Sequence, residues 1–437
     1  MELEMAHLRT QRETTITDLP TEILNTIVSF LPRDTHLVQI ALVSKQFKDS
    51  AERFLYRSIY LCLDCDRDDD TCILDRCFFR LVETLTRNSN RRRFVVALHL
   101  QVLLINLSVF SHHDQLLTLL PSLKELTVHP PPPHLSLQGS KRLETLCFIF
   151  CFYAAQYDED MPEQDRVDPL EIVARHFWIP TLRFLQLDDM YLHRVRRGHL
   201  FPEARYRTSS ITDLRLWSCR KDNLDILPDI LLSVKRLERL IVETEWSSWN
   251  HFPAESITPD WFARTLQPHQ STLVDLVIAG RNDRRVLRKL LIGSLAGYIN
   301  LKRLGIPESS LVQSTDVTIH ERLPPSLEVL QLQFSEQSTW DVDSEVALQF
   351  EYERMEHLAE HKLACLPALT RVIWWYEPYF VSDGAHLNTR GEPGERWNQL
   401  ASKFNEVGVK FEFSGGVCFD WTILGKDTQW KWFQRPL

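Results

Sequence analysis

Ten times along this chain an apolar residue is followed, three and five positions later, by two more. The sets are Val95-Leu98-Leu100, Leu123-Leu126-Val128, Leu143-Leu146-Phe148, Leu182-Leu185-Leu187 and Ile211-Leu214-Leu216. They continue as Leu237-Leu240-Val242, Leu273-Leu276-Ile278, Leu301-Leu304-Ile306, Leu327-Leu330-Leu332 and Leu369-Val372-Trp374. The last two members of a set are two residues apart, so on an extended strand they point to one face. The first member, three residues earlier, turns into the same core. One such unit cannot bury its apolar face alone, whereas stacked units share a continuous core. A small polar or basic residue precedes most sets, often after a proline, as in PSLKELTV, KRLETLCF, PTLRFLQL and PSLEVLQL.

Successive sets begin 20 to 42 residues apart, and six of the nine intervals lie between 20 and 29. That spacing and pattern resemble leucine-rich repeats. The resemblance implies an α/β solenoid over 91–415: a curved parallel sheet of short strands with helices and loops on its outer side. The family often carries Asn or Cys three residues after the final leucine. Only Cys151 and Cys219 meet that here, which implies irregular outer connections. Three long intervals have room for extra helices, around 168–177, 259–266 and 344–363. If the paired apolar residues face the core, the residues between and beside them line the inner surface. Those are Phe184, Gln186 and Asp188; Asp213, Arg215 and Trp217; Arg239, Ile241 and Glu243; and Arg371, Ile373 and Trp375. Trp and Arg dominate binding energy at interfaces. Arg215, Trp217, Arg239, Glu243 and Trp375 are therefore the substrate-binding candidates. Ile241, Val277 and Ile373 fall on the same face, so a loop or the C-terminal tail could cover part of it.

A different pattern occupies residues 17–47, TDLPTEILNTIVSFLPRDTHLVQIALVSKQF. Leu19, Ile23, Leu24, Ile27, Val28, Phe30 and Leu31 recur at spacings of three and four, which predicts an amphipathic helix. Pro20 suits a first turn, Asp18 stands where a cap would, Glu22 lies near the positive end, and Pro32 stops the helix. A second apolar run holds Leu37, Ile40, Ala41, Leu42, Val43 and Phe47. About 30 residues of short helix cannot bury all of this on each other, so a partner is expected to cover it.

The order Leu19-Pro20-x-Glu22-Ile23-Leu24, then Ile27, Phe30-Leu31-Pro32 and Leu42-Val43-Ser44-Lys45-x-Phe47 resembles an F-box. Ser44 and Phe47 replace the family's usual Cys and Trp. The layout of F-box followed by repeats resembles fungal substrate receptors of Skp–cullin–F-box ubiquitin ligases. That implies an adaptor-binding set of Leu19, Pro20, Ile23, Leu24, Ile27, Leu31, Leu42, Val43 and Phe47. It also implies a Skp-type adaptor, a cullin reached through it, and an unknown protein substrate held by the repeats. No chemistry would belong to the chain itself. A scaffold that binds the adaptor without promoting ubiquitination is the other reading.

The remaining features narrow the choice. A formal net charge of −9 disfavours nucleic acid as a partner, because phosphate binding wants a basic face. The N-terminus, MELEMAHLRTQRETT, does not read as a signal peptide, and nine cysteines make no paired framework. A reducing compartment, cytoplasmic or nuclear, is the expected location. Residues 94–110 are uncharged but short for a membrane span, and they contain His99, Gln101, Asn106 and Ser108. A strand followed by a buried turn or helix is expected there instead.

Cys62, Cys65, Cys72 and Cys77 resemble a zinc set, but the pairs are too close. Asp64, Asp66, Asp68, Asp70 and Asp75 fall at calcium-loop positions, but Asp69 stands where the loop needs glycine. The expectation is therefore a solvated acidic loop, no metal and no cofactor. The 16 histidines read as scattered without ligand spacing, and no catalytic motif appears. Trp374, Trp375, Tyr376, Tyr379 and Phe380, with Trp421, Trp430, Trp432 and Phe433, make the C-terminus aromatic. The expected organisation is 1–14 as a flexible N-terminus, 15–60 as the F-box, and 61–90 as an acidic, Cys-rich linker with a first helix. The repeats then occupy 91–415, and the aromatic tail at 416–437 either caps them or forms a substrate pocket at their end.

Overall fold

A computed structural model of the chain describes residues 19–31, 36–63, 71–102, 115–129, 131, 135–137, 139–150, 169–188, 200–220, 226–245, 265–281, 292–311, 318–334, 344–376 and 395–415. It is an α/β protein with helices at the N-terminus and a twelve-stranded sheet. The sheet order is the chain order, β1 to β12, and every described strand pairing is parallel. The chain divides into two compact units, Met1–Leu146 and Cys147–Leu437.

In the first unit, α1 (Thr21–Ser29), α2 (His36–Ala41) and α3 (Lys45–Leu55) lead into β1 (Ser58–Leu63). Then come α4 (Thr71–Arg87), α5 (Ser89–Phe94), β2 (Ala97–Val102), β3 (Glu125–His129) and the start of β4 (Thr145–Ile149). In the second unit, β5 is Phe184–Asp188, β6 Asp213–Arg220, β7 Arg239–Glu245 and β8 Asp275–Arg281. β9 is Arg303–Pro307, β10 Val329–Phe334, β11 Arg371–Tyr376 and β12 Lys410–Gly415. Helices α6 (Pro169–His176), α7 (Leu227–Ser233), α8 (Ser344–Cys365) and α9 (Glu395–Glu406) lie in the connections. Helices α6 and α8 occupy two of the three long intervals predicted to hold them. Of the third, only Thr265 and Leu266 are described, and they open a helical turn.

The last two members of all ten predicted sets fall on strands, β2 to β11, and the first lies just ahead of its strand. Their paired residues are aligned across neighbours: Leu214 with Leu240, Leu240 with Leu276, Leu276 with Leu304, Leu304 with Leu330 and Leu330 with Val372. Those residues are buried, as are the leading members Leu182, Ile211, Leu237, Leu273, Leu301, Leu327 and Leu369. The backbone repeats with the same period. Carbonyls of Arg57, Val96 and Lys124 in the first unit each accept two N–H groups from the start of the following strand. Carbonyls of Arg183, Thr212, Glu238, Val274, Lys302 and Glu328 do so in the second. These bonds settle the strand starts in one register, so each strand templates the next.

Polar residues ahead of three sets also tie neighbouring strand segments together. The Thr272 hydroxyl donates to Leu237 O (2.7 Å) and the Ser326 hydroxyl to Leu301 O (2.9 Å), each tying its unit to the one before. Asn300 Nδ2 donates to Ser271 O (2.7 Å). His269 adds a further rung, with Nδ1 accepting from Leu237 N and Nε2 donating to Leu231 O (2.9 Å). Burial pushes its imidazole below the usual histidine range, and the carbonyl at Leu231 only partly offsets that.

Two strands were missed in the sequence. β1 pairs Ile59 and Leu61 with Leu98 and Leu100, and β12 pairs Phe411 and Phe413 with Val372 and Trp374. Their leading positions are Tyr56 and Gly408 rather than an aliphatic residue. Gly408 has φ +74°, a left-handed conformation that ends α9. Val409 N reaches Phe404 O (2.9 Å) across that turn and Val409 is buried, so the apolar contact is displaced by one residue.

The open inner surface expected from the sequence is corrected. The strand alternation is right, but over the middle strands the second face is buried as well. Trp217, Ile241, Val277, Ala279 and Ile373 form a second apolar cluster on it, with Val329 packed alongside. Arg215, Trp217 and Glu243 are buried, with Trp217 only 6% exposed. Arg239 keeps about a quarter of its side chain exposed, at 27%. The side chain of Trp375 lies outside the described set. Parallel sheets are ordinarily buried on both faces, and Ile241, Val277 and Ile373 make covering this one favourable.

Charge is buried there too. Asp213, Arg239, Asp275 and Arg303 are aligned on β6 to β9 and alternate in sign. Arg239 bonds Asp213 (3.0 Å) and Asp275 (2.7 Å), and Arg303 grips Asp275 through two nitrogens (2.5 and 2.7 Å). Arg215 makes two bonds of 3.1 Å to Asp213 and lies over the Phe184 ring at 4.5 Å.

Among the described residues no helix is long and apolar enough to cross a membrane. Within 94–110, β2 covers the first part, as expected, and 103–110 lie outside the described residues. Also outside them are the acidic loop at 64–70, the side chains of Cys62, Cys72 and Cys77, the insert residues 259–264, and the aromatic tail at 416–437.

Candidate functional site

The N-terminal helices differ from the sheet in what they leave outside. Helix α1 begins directly after Pro20, whose carbonyl accepts from Ile23 N (3.0 Å) and Leu24 N (3.1 Å). Pro20 is the residue before the helix rather than part of its first turn, and no side chain caps it. Glu22 lies in the first turn as expected, where the helix dipole favours a carboxylate. The single apolar stripe read from the sequence is in fact two. Leu24, Val28 and Leu31 lie four and three apart on one face, and Ile23, Ile27 and Phe30 repeat that spacing one residue earlier.

The first of these stripes packs inward. Leu24, Val28, Leu37, Phe47 and Ala51 form a buried cluster, with Leu19, Leu31, Ile40, Ala41, Phe54 and Leu55 against it. The expectation that these helices could not cover their own apolar residues is thus half right. Leu24 and Phe47, both placed on the adaptor surface by the resemblance, are buried in this core, and Leu19 and Leu31 line its edge.

The second stripe faces out. Ile23 and Ile27 are exposed and Phe30 is 83% exposed; Val38 on α2 is also exposed. In the turn that follows α2, Leu42 and Val43 are 82% and 70% exposed. Backbone bonds from Leu42 N to Gln39 O and Val43 N to Ile40 O (both 3.0 Å) hold that turn. Ten large apolar side chains are markedly exposed among the described residues, and six of them fall between 23 and 43. Such a concentration is unusual on a monomer's surface.

The frame behind this face is well tied. Ser44 is the N-cap of α3 and its hydroxyl accepts from Phe47 N (3.2 Å), which gives the serine at this position a structural role. Gln46 Nε2 donates to Leu19 O (3.1 Å), joining α3 to the start of α1. Arg91 on α5 bonds Glu52 on α3 (2.6 Å) and lies over the Tyr56 ring at 5.1 Å. The Glu52 bond holds the Arg91 guanidinium pKa above its ordinary value.

A family model described as F-box-like matches residues 16–62, which spans α1, α2, α3 and most of β1. No curated protein matches the chain. The structure thus places an F-box-like helical domain ahead of an α/β region with a parallel sheet in chain order.

Proposed function

We propose that the chain is a substrate-recognition subunit of a Skp–cullin–F-box type ubiquitin ligase. The observation that carries this reading is the outward apolar face of Ile23, Ile27, Phe30, Val38, Leu42 and Val43 within an F-box-like domain. A Skp-type adaptor covers that face, with Pro20 at its margin, and a cullin is reached through the adaptor. The strand array acts as a leucine-rich-repeat-like solenoid that holds a protein substrate. The bonds by which each strand templates the next support that reading, since stacked units make a rigid extended surface. With Arg215, Trp217 and Glu243 buried, the substrate contact centres on the quarter-exposed row of Arg239, Arg303 and Arg371. Ubiquitin transfer belongs to other subunits, and the complex works in the cytoplasm or nucleus.

Interface anchors often cost about 2 kcal/mol or more on truncation. In the full chain, Ile27→Ala with Leu42→Ala should therefore weaken adaptor binding at least about 100-fold, at 1.4 kcal/mol per factor of ten. Both residues face solvent, so circular dichroism and melting should stay as in the parent. Unchanged adaptor affinity would overturn the reading. Capture of the adaptor without a cullin would leave a scaffold in place of a ligase subunit.

A further inference from the structure

One cluster of ligand-type side chains is not absorbed by the function above. Helix α8 carries His357-Leu358-Ala359-Glu360-His361 on well-packed backbone in the connection between β10 and β11. On a helix, residues three and four apart share a face, so His357, Glu360 and His361 converge. One ligand atom from each lies within 4.8 Å of the others. The expectation that histidines lack ligand spacing is thereby corrected. The pattern H-x-x-E-H was readable in the sequence, and it is one in which two imidazoles i and i+4 apart suit a metal.

Three further observations favour an ion over a chance meeting. First, His361 Nδ1 is 2.9 Å from the carbonyl of His357. A carbonyl can only accept, so Nδ1 carries the proton and the Nε2 lone pair is left to ligate. A second-shell carbonyl of this kind commonly fixes the tautomer of a metal-binding histidine. Second, the His361 ring stacks on His320 at 4.1 Å and 10°, and His320 is itself buried on the 3-10 turn Ile319–Arg322. The ligating ring is thus held by a neighbouring element, not only by its own rotamer. Third, Lys403 on α9 bonds Glu356, and Glu360 is only the smallest of the charges acting on it. Glu360 instead faces His357, with Oε2 3.8 Å from Nδ1. As an exposed ion pair at that distance the two would contribute little.

We propose that His357, Glu360 and His361 bind a divalent first-row transition-metal ion of the zinc class, with a remaining coordination position open. Two imidazoles and one carboxylate are the donor set such ions take, and three protein ligands leave a fourth position for water or a partner's side chain. The ion clamps consecutive turns of α8 and so stabilises the connection between β10 and β11.

The test uses the full chain after chelator treatment, titrated with Zn²⁺ by calorimetry and with Co²⁺ by absorption. The parent protein should show a saturable site whose cobalt spectrum lacks the thiolate charge-transfer band that cysteine ligands would give. His357→Ala with His361→Ala should weaken it at least about 100-fold, since even outer-shell partners are worth about 10–100-fold. Glu360→Gln should weaken it less and leave the fold as in the parent. Zinc should raise the melting temperature of the parent and not of the double variant, because an ion that binds only the folded state stabilises it. If the double variant melts lower without metal, the Glu360→Gln titration alone decides. Equal zinc affinity in parent and variants would assign the ion to other residues and overturn the proposal. Absence of saturable binding in the parent would do the same.

Discussion

The N-terminal helices and the strand array solve the problem of apolar surface in opposite ways. The helices bury Leu24, Val28, Leu37, Phe47 and Ala51 and leave Ile23, Ile27, Phe30, Val38, Leu42 and Val43 in water. The middle strands bury both faces, to the point of taking Asp275, Arg215 and Glu243 out of solvent. A segment of a few dozen residues has too little interior to hide two stripes, whereas a long array gains interior with each added unit. The difference teaches that exposed apolar residues mean a vacant surface only where the chain has its own reason to stay folded without covering them.

The comparison can be broken most sharply by truncating one residue from each stripe of the helices. Leu24→Ala should destabilise the helical domain by about 2–5 kcal/mol, the usual cost of a Leu→Ala cavity. Leu42→Ala should leave stability within about 0.5 kcal/mol of the parent, as for surface changes generally. Denaturant unfolding of the full chain, followed by a probe in the first unit, checks both. Equal costs would mean that the outward face is part of the core after all.

A smaller effect is expected from the buried charge in the sheet. Asp275→Ala deprives Arg239 and Arg303 of their shared carboxylate. Losing one partner of a buried pair costs about 3–5 kcal/mol, but both guanidinium groups keep about a quarter of their surface in water. The expected loss is therefore about 1–3 kcal/mol, and Asp275→Asn, which keeps an acceptor, should lose less. A variant as stable as the parent would show that the second face is solvated and available to a partner.

The smallest effect concerns Ser44. Its hydroxyl caps α3, and removing an N-cap costs about 1 kcal/mol. Ser44→Ala should lower stability by that amount, and Ser44→Asp should restore it, since aspartate is an equally good cap. Adaptor affinity should change little in either, because the capping bond faces the domain's own frame. A large affinity loss with no stability change would place Ser44 in the interface.

Much of the fold was legible because its determinants are local. The i, i+3, i+5 pattern placed strands β2 to β11 and the face of their paired residues, and the interval lengths located α6 and α8. β1 and β12 escaped because Tyr56 and Gly408 stand where an aliphatic leader is usual. In the N-terminal helical region, Ile23, Ile27, Leu42 and Val43, named by the motif order, are exposed. Phe30 was read as part of the pattern but left out of the adaptor set, and Val38 was not singled out. The resemblance puts Leu24 and Phe47 in the adaptor set, and no local pattern records the buried cluster in which the structure holds them. His357, Glu360 and His361 were passed over although their spacing is plain, because one helical turn among 16 histidines carries little weight until their ligand atoms are seen together.

By itself, the sequence determined which residues become strands, that each unit needs a neighbour, and that residues 17–47 carry more apolar surface than they can hide. These follow from periodicities of two and 3.6 residues, which act within a few positions of the chain. Only the tertiary structure decided that the middle of the sheet is buried on both faces, that Trp217 is core and that the helical stripe divides into an inner and an outer half. Whether a surface is covered depends on segments distant along the chain, and no local pattern records what will pack against it.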